Sequence, residues 1–187
     1  MFIQTETTPN PATLKFLPGQ DVLGQGAMEF RSPDAAANAP LAQALLAIDG
    51  VQAVMYGSDF VSVTKDGADW AHLKPAILGT IMEHFASGAP LLTEGAAGAQ
   101  QQEDGEFYDP SDAETVATIK ELIETRVRPA VAGDGGDIVF RGFRDGVVYL
   151  TMKGACSGCP SSTATLRNGI ENLLRHFLPQ IKAVQSA

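Results

Sequence analysis

Apolar and polar positions alternate along this chain in two different periods, and the period changes mark its elements. "FIQTE" (2–6) and "TLKFL" (13–17) read as short strands separated by the turn-forming "TTPNPA". "AMEF" (27–30) reads as a third. "NAPLAQALLAI" (38–48) has helical spacing: Leu41, Leu45 and Ile48 share a face, Asn38 is placed to cap, and Pro40 suits a first turn. "VQAVMYG" (51–57) and "DFVSVTK" (59–65) return to period two and should pair as a hairpin around Gly57 and Ser58. A second helix begins around Trp70 to Pro75 and runs to about Ala86, with Leu73, Ile77 and Ile81 as its buried stripe.

The second half repeats the exercise in another order. Ser111-Asp112-Ala113-Glu114 has the form of a capping box, and Val116, Ile119, Leu122, Ile123 and Val127 follow at helical spacing. Pro129 and "GDGGD" (133–137) should stop that helix. "DIVFRGF" (137–143) and "VVYLTM" (147–152) are strands joined across Arg144-Asp145-Gly146. Leu166, Ile170, Leu173, Leu174 and Phe177 then define a helix ended by Pro179, and "IKAV" (181–184) is a short strand. Between the halves, "TEGAAGAQQQEDGEFYDP" (93–110) is rich in Gly, Ala, Gln and acids, and has no basic residue. Such a stretch reads as a flexible, self-repelling linker, with Phe107 and Tyr108 docking on the second domain. The expected organisation is α/β (α+β): an N-terminal domain over 1–92, a linker over 93–110, and a C-terminal domain over 111–187 of order helix, strand, strand, loop, helix.

Charge sharpens the division. Residues 1–110 hold four Lys and Arg against fourteen Asp and Glu, and residues 111–187 hold nine against eight, for a net of −9 over 187 residues. Such an acidic first half leaves little to neutralise phosphates, which argues against nucleic-acid binding. No run is apolar and long enough to span a membrane. The start "MFIQTETTPNP" has no Lys or Arg, so it resembles neither a secretory signal nor a transit peptide. The expectation is a cytoplasmic protein with its thiols kept reduced.

The chain has two cysteines, Cys156 and Cys159, in "LTMKGACSGCPSST" (150–163). They fall between a strand and a helix start. Gly154 and Gly158 allow tight turns that bring amide N–H groups near the sulfurs, and a helix N-terminus adds partial positive charge. Both features should favour thiolate, which is the nucleophile and the metal ligand. Two thiolates per chain leave three uses open. An iron–sulfur cubane needs four, which two chains related by a two-fold axis would supply. Zinc could be shared in the same way. A dithiol oxidoreductase would need only one chain, although its usual fold context is a thioredoxin-like βαβ unit.

The other chemistry-bearing residues read as structure. His72, His84 and His176 are scattered. "GDGGD" lacks a P-loop lysine and EF-hand spacing, so it reads as a turn in which Asp134 and Asp137 satisfy local N–H groups. Ser161, Ser162 and Thr163 read as helix caps. Lys153 and Arg167 are the cations nearest the cysteines in sequence.

"VRPAVAGDGGDIVFRGF" followed by "LTMKGACSGCPSSTATLRNGIENLLRHFLPQI" resembles the NifU C-terminal domain of the Nfu iron–sulfur scaffold and carrier family. "MFIQTETTPNPATLKFLPG", "LAQALLAIDGVQAVMYGSDFVSVTK" and "DWAHLKPAIL" resemble that family's N-terminal domain. The resemblance implies a non-enzymatic carrier, and the start of the chain at the family's N-terminal block implies a bacterial form, with a processed organellar form as the alternative. Cys156 and Cys159 match the ligand motif for a [4Fe-4S] cluster bridged by two subunits. The implied partners are a second copy of the chain, upstream assembly proteins, and apoproteins that receive the cluster.

Overall fold

The computed structural model describes residues 1–94, 105–157 and 160–187. The chain forms two compact units, Met1–Gln102 and Glu103–Ala187. The predicted linker therefore lies in part, at 95–104, outside the described residues.

Unit 1 runs β1 (Gln4–Thr7), β2 (Thr13–Leu17), β3 (Met28–Phe30), α1 (Pro40–Leu46), β4 (Val51–Tyr56), β5 (Val61–Lys65) and α2 (Trp70–Ser87). Its strands make one antiparallel sheet in the order β1-β2-β5-β4-β3. The β4–β5 hairpin forms as its alternation predicts, with Val54 opposite Val63 and Tyr56 opposite Val61. The β2–β5 pairing, Phe16 opposite Val61, joins segments far apart in sequence. Phe16, Val54, Tyr56, Val61 and Val63 pack with Leu41 and Leu45 of α1 and with Leu73, Ile77 and Ile81 of α2. Burial of these side chains drives the assembly.

Two local details differ from expectation. Helix α1 is preceded by Ala39 and has no side-chain cap. The carbonyl of Asn38 instead accepts the Thr93 N–H at 2.9 Å. The unpaired N–H of Ala42, in the first turn of α1, donates to the buried Tyr56 Oη at 2.7 Å. A tyrosine from a strand thus does the work assigned to a cap residue. Asp69 does cap α2, accepting from the Ala71 N–H at 3.1 Å, and Gly88 closes that helix in the left-handed region at φ 69°.

Unit 2 runs from a 3₁₀ turn (Pro110–Asp112) through α3 (Ala113–Leu122), a π-turn (Ile123–Val127), α4 (Arg128–Gly133), β6 (Gly136–Arg144), β7 (Val147–Gly154), α5 (Pro160–Phe177) and β8 (Ala183–Ser186). The sheet order is β6-β7-β8, with β6 and β7 antiparallel and β8 parallel to β7. The β6–β7 turn places Asp145 at φ 53° and Gly146 at φ 80°, the left-handed pair a two-residue hairpin requires. Ile119, Ile123, Ile138, Phe140, Val148, Leu150, Ile170 and Leu174 fill the core.

Here too the helix boundaries shift. Asp109, not Ser111, makes the cap: its carboxylate accepts from the Ser111 N–H at 2.9 Å and the Ser111 hydroxyl at 2.7 Å. Pro129 does not stop the helix. A proline cannot donate to the carbonyl four residues back and its ring crowds it. The π-turn just before α4 carries the chain past this conflict, and Pro129 takes the first turn of α4, where no donor is needed. Phe177 leaves the buried stripe: it is 45% exposed, with the Arg126 guanidinium over its ring at 5.3 Å.

Residues 105–109 belong to this unit. Phe107 bridges Gly142 of β6, donating its N–H to Arg141 O at 3.1 Å and accepting from the Phe143 N–H at 2.9 Å. Its ring lies 5.2 Å from that of Tyr149.

Candidate metal centre

The site grows from the last rung of the β6–β7 ladder, where Gly136 faces Gly154. Gly154 takes φ 61° and turns the chain back on itself. The Ala155 N–H then donates to Gly135 O at 3.2 Å and the Cys156 N–H to Lys153 O at 3.3 Å. Ser157 closes the turn with its N–H on Gly154 O at 3.1 Å and its hydroxyl on the same oxygen at 3.0 Å. These bonds lay Cys156 over Gly136. A Cβ built on Gly136 would overlap Cys156 Sγ and stand 3.0 Å from the Cys156 nitrogen. Only glycine leaves that room.

Thr163, expected as a helix cap, does something else. Its hydroxyl donates to Cys156 O at 3.0 Å, tying the first turn of α5 to the loop. Of the two acids of "GDGGD", Asp134 lies in the expected turn, its N–H on Val131 O at 3.1 Å, and Asp137 departs from it. Asp137 is buried and accepts two bonds from Arg128, Nε to Oδ1 and Nη2 to Oδ2, both at 2.8 Å. Arg128 also reaches Glu124 at 2.6 Å. Sequence reasoning missed this pair and missed Gly136 as the floor under the sulfur. The doubled glycine ahead of a strand was the one available signal.

Cys156 is 5% exposed. Burial pushes its thiol up to about 12, and the carboxylates of Asp134 and Asp137 push in the same direction. The expectation of a thiolate-favouring site is therefore reversed for Cys156 in this pose, with desolvation the largest cause. Cys159, the other predicted ligand, lies outside the described residues. Among the described residues, no three His, Cys, Asp or Glu side chains gather to hold a metal ion. Lys153 is buried at the end of β7, and Arg167 is partly buried on α5. Among the described residues, no helix is long and apolar enough to cross a membrane.

The donor chemistry of the loop suits soft-metal or sulfide-bridged iron centres. The inward pose of Cys156 does not: its sulfur must turn outward before it can reach a metal.

Two α/β units, the second with a CxxC segment between a strand and a helix, define a two-module protein with a thiol-bearing loop. The chain belongs to the Nfu iron–sulfur cluster scaffold family. The model described as "Scaffold protein Nfu/NifU N terminal" matches residues 3–88, and that described as "NifU-like domain" matches 119–185. Over 187 residues the chain is 49% identical to the NFU1 iron–sulfur cluster scaffold homologue, mitochondrial, of Homo sapiens, and 49% identical to that of Drosophila sechellia. Each alignment covers 99% of this chain, but 71% of the human relative and 64% of the fly one. The chain thus spans about two thirds of the length of these relatives. A solved NifU-like protein of Saccharomyces cerevisiae is 29% identical, covering 50% of this chain and 86% of its own, with a TM-score of 0.46. A crystal structure of a Staphylococcus aureus protein is 24% identical over 43% of this chain and 99% of its own, with a TM-score of 0.40.

These findings correct one expectation. The expectation was a bacterial cytoplasmic protein. The relatives above, matched over 99% of this chain, are named as mitochondrial, which contradicts it.

Proposed function

We propose that this chain carries a [4Fe-4S] cluster as cargo, held by Cys156 and Cys159 of two chains, and passes it to apoproteins that need it. Membership of the scaffold family supports the iron–sulfur part of this reading. The observation that carries the rest is the placement of the pair: the chain's two cysteines fall in sequence between the end of β7 and the start of α5, inside the NifU-like region. A cubane takes four thiolates and one chain has two, so the ligand set closes only with a second copy.

No small substrate is turned over in this reading. Binding must release the Cys156 proton and bring its sulfur outward, and delivery reverses that movement. The CxxC segment follows a β-hairpin and does not lie in a thioredoxin-like βαβ unit, which weighs against a dithiol oxidoreductase. Upstream assembly proteins supply the cluster, and unit 1 docks recipients while unit 2 presents the cargo at raised effective concentration.

Anaerobic reconstitution with iron and sulfide tests the reading, followed by visible absorption, metal and sulfide analysis, and mass. A brown dimer with about one cubane per two chains is expected. A colourless zinc-bridged dimer, or a colourless monomer that reduces insulin, would overturn it.

A further inference from the structure

The pose of Cys156 is held from three sides. Below it, the missing side chain of Gly136 leaves the space that Sγ occupies. Behind it, the Ala155 N–H bond to Gly135 O fixes the returning chain. Above it, Thr163 holds the Cys156 carbonyl. The result is a sulfur closed off from solvent within the apolar core that includes Met152, Ile138 and Ile170. A sulfur in that position cannot touch a metal centre shared with another chain.

We propose that Cys156 has two positions: stowed on Gly136 when the chain is empty, and turned outward when it carries a cluster. Gly136 and Thr163 are the positioning residues of the stowed state. The proposal rests on the carrier reading for its purpose, but on geometry alone for the stowed state. Stowing keeps one ligand out of reach of thiol reagents until cargo is offered. It also gives the emptied loop a packed state to return to, which favours release.

The test is labelling of the cluster-free full chain with iodoacetamide, with each cysteine followed by peptide mass spectrometry. In the folded wild type, Cys156 should label roughly tenfold or more slowly than in the urea-unfolded chain. Gly136→Ala should raise the folded-state rate roughly tenfold, because its Cβ takes the space of the sulfur. Thr163→Val should raise it by less, and it decides the matter if Gly136→Ala does not fold. A packing defect of general kind is separated by a double-mutant cycle: Gly136→Ala should lower the melting temperature less in a Cys156→Ala background than in the native one. Labelling of folded Cys156 at the unfolded rate overturns the proposal, as does a wild-type rate in folded variants at both positions. Labelling uses no iron. Protection without cluster uptake would refute the carrier reading alone, and cluster uptake without protection would refute the stowed position alone.

Discussion

Arg128 meets Asp137 with both carboxylate oxygens engaged, each at 2.8 Å, directly behind the turn that carries Cys156. The carboxylate side chain is 5% exposed and the guanidinium side chain 26%. Such a bidentate pair neutralises a charge that the core could not hold alone. Hydrogen bonding to Asp137 also raises the Arg128 pKa, outweighing the opposing effect of burial. Arg128→Ala strands the acid, and about 3 kcal/mol of unit 2 stability should be lost, read by denaturant unfolding. Arg128→Lys should recover only part, since an ammonium cannot reproduce the fork.

Tyr56 predicts a pH dependence for unit 1. Burial raises its pKa above the ordinary 10.0, and the Ala42 N–H bond only partly offsets this. The folded state thus holds the phenol proton more tightly than the unfolded one. The sign follows from linkage: this contribution is fully present below pH 10 or so and falls as pH rises beyond it. Tyr56→Phe should cost about 1–3 kcal/mol by leaving the Ala42 N–H unpaired. The variant should also show a shallower loss of stability than wild type in calorimetry above roughly pH 10.

Phe107 and Gly142 predict a strap. A Cβ on Gly142 would lie 2.5 Å from two atoms of the Phe107 ring. Gly142→Ala should therefore lift residues 105–109 from β6 at a cost of about 1–3 kcal/mol. Hydrogen exchange at the Phe143 amide, which donates to Phe107 O, should accelerate. In a Phe107→Ala background the same substitution should cost less.

The two cysteines predict a shared site. Cys156→Ser and Cys159→Ser should each abolish stable cluster binding in anaerobic reconstitution. A full cluster in either variant would remove that cysteine from the ligand set. Deletion of residues 1–92 should slow cluster transfer to recipient apoproteins, measured as recovered recipient activity.

Most elements were legible because their signals are local. The stripe Leu73, Ile77, Ile81 has one period whatever it packs on, and Asp145-Gly146 between two alternating runs is a strong hairpin signal. Caps were less legible. Ser111 and Asn38 had the right chemistry at the right spacing, but Asp109 and Tyr56 took the positions. For Tyr56 the reason is tertiary: it lies on β4, and only the packing of α1 against the sheet brings its hydroxyl to Ala42. Pro129 misled for a related reason, since a π-turn upstream absorbed the defect.

The site divides in the same way. Residue type and spacing determined that the chain carries a thiol pair between a strand and a helix, and hence what chemistry is available to it. Where the Cys156 sulfur points was decided only by tertiary structure. The β6–β7 register sets Gly136 opposite Gly154, so residues twenty positions apart in sequence share one small space. Charge on a thiol depends on that space, because desolvation acts through everything packed around the sulfur and not through its neighbours in the chain.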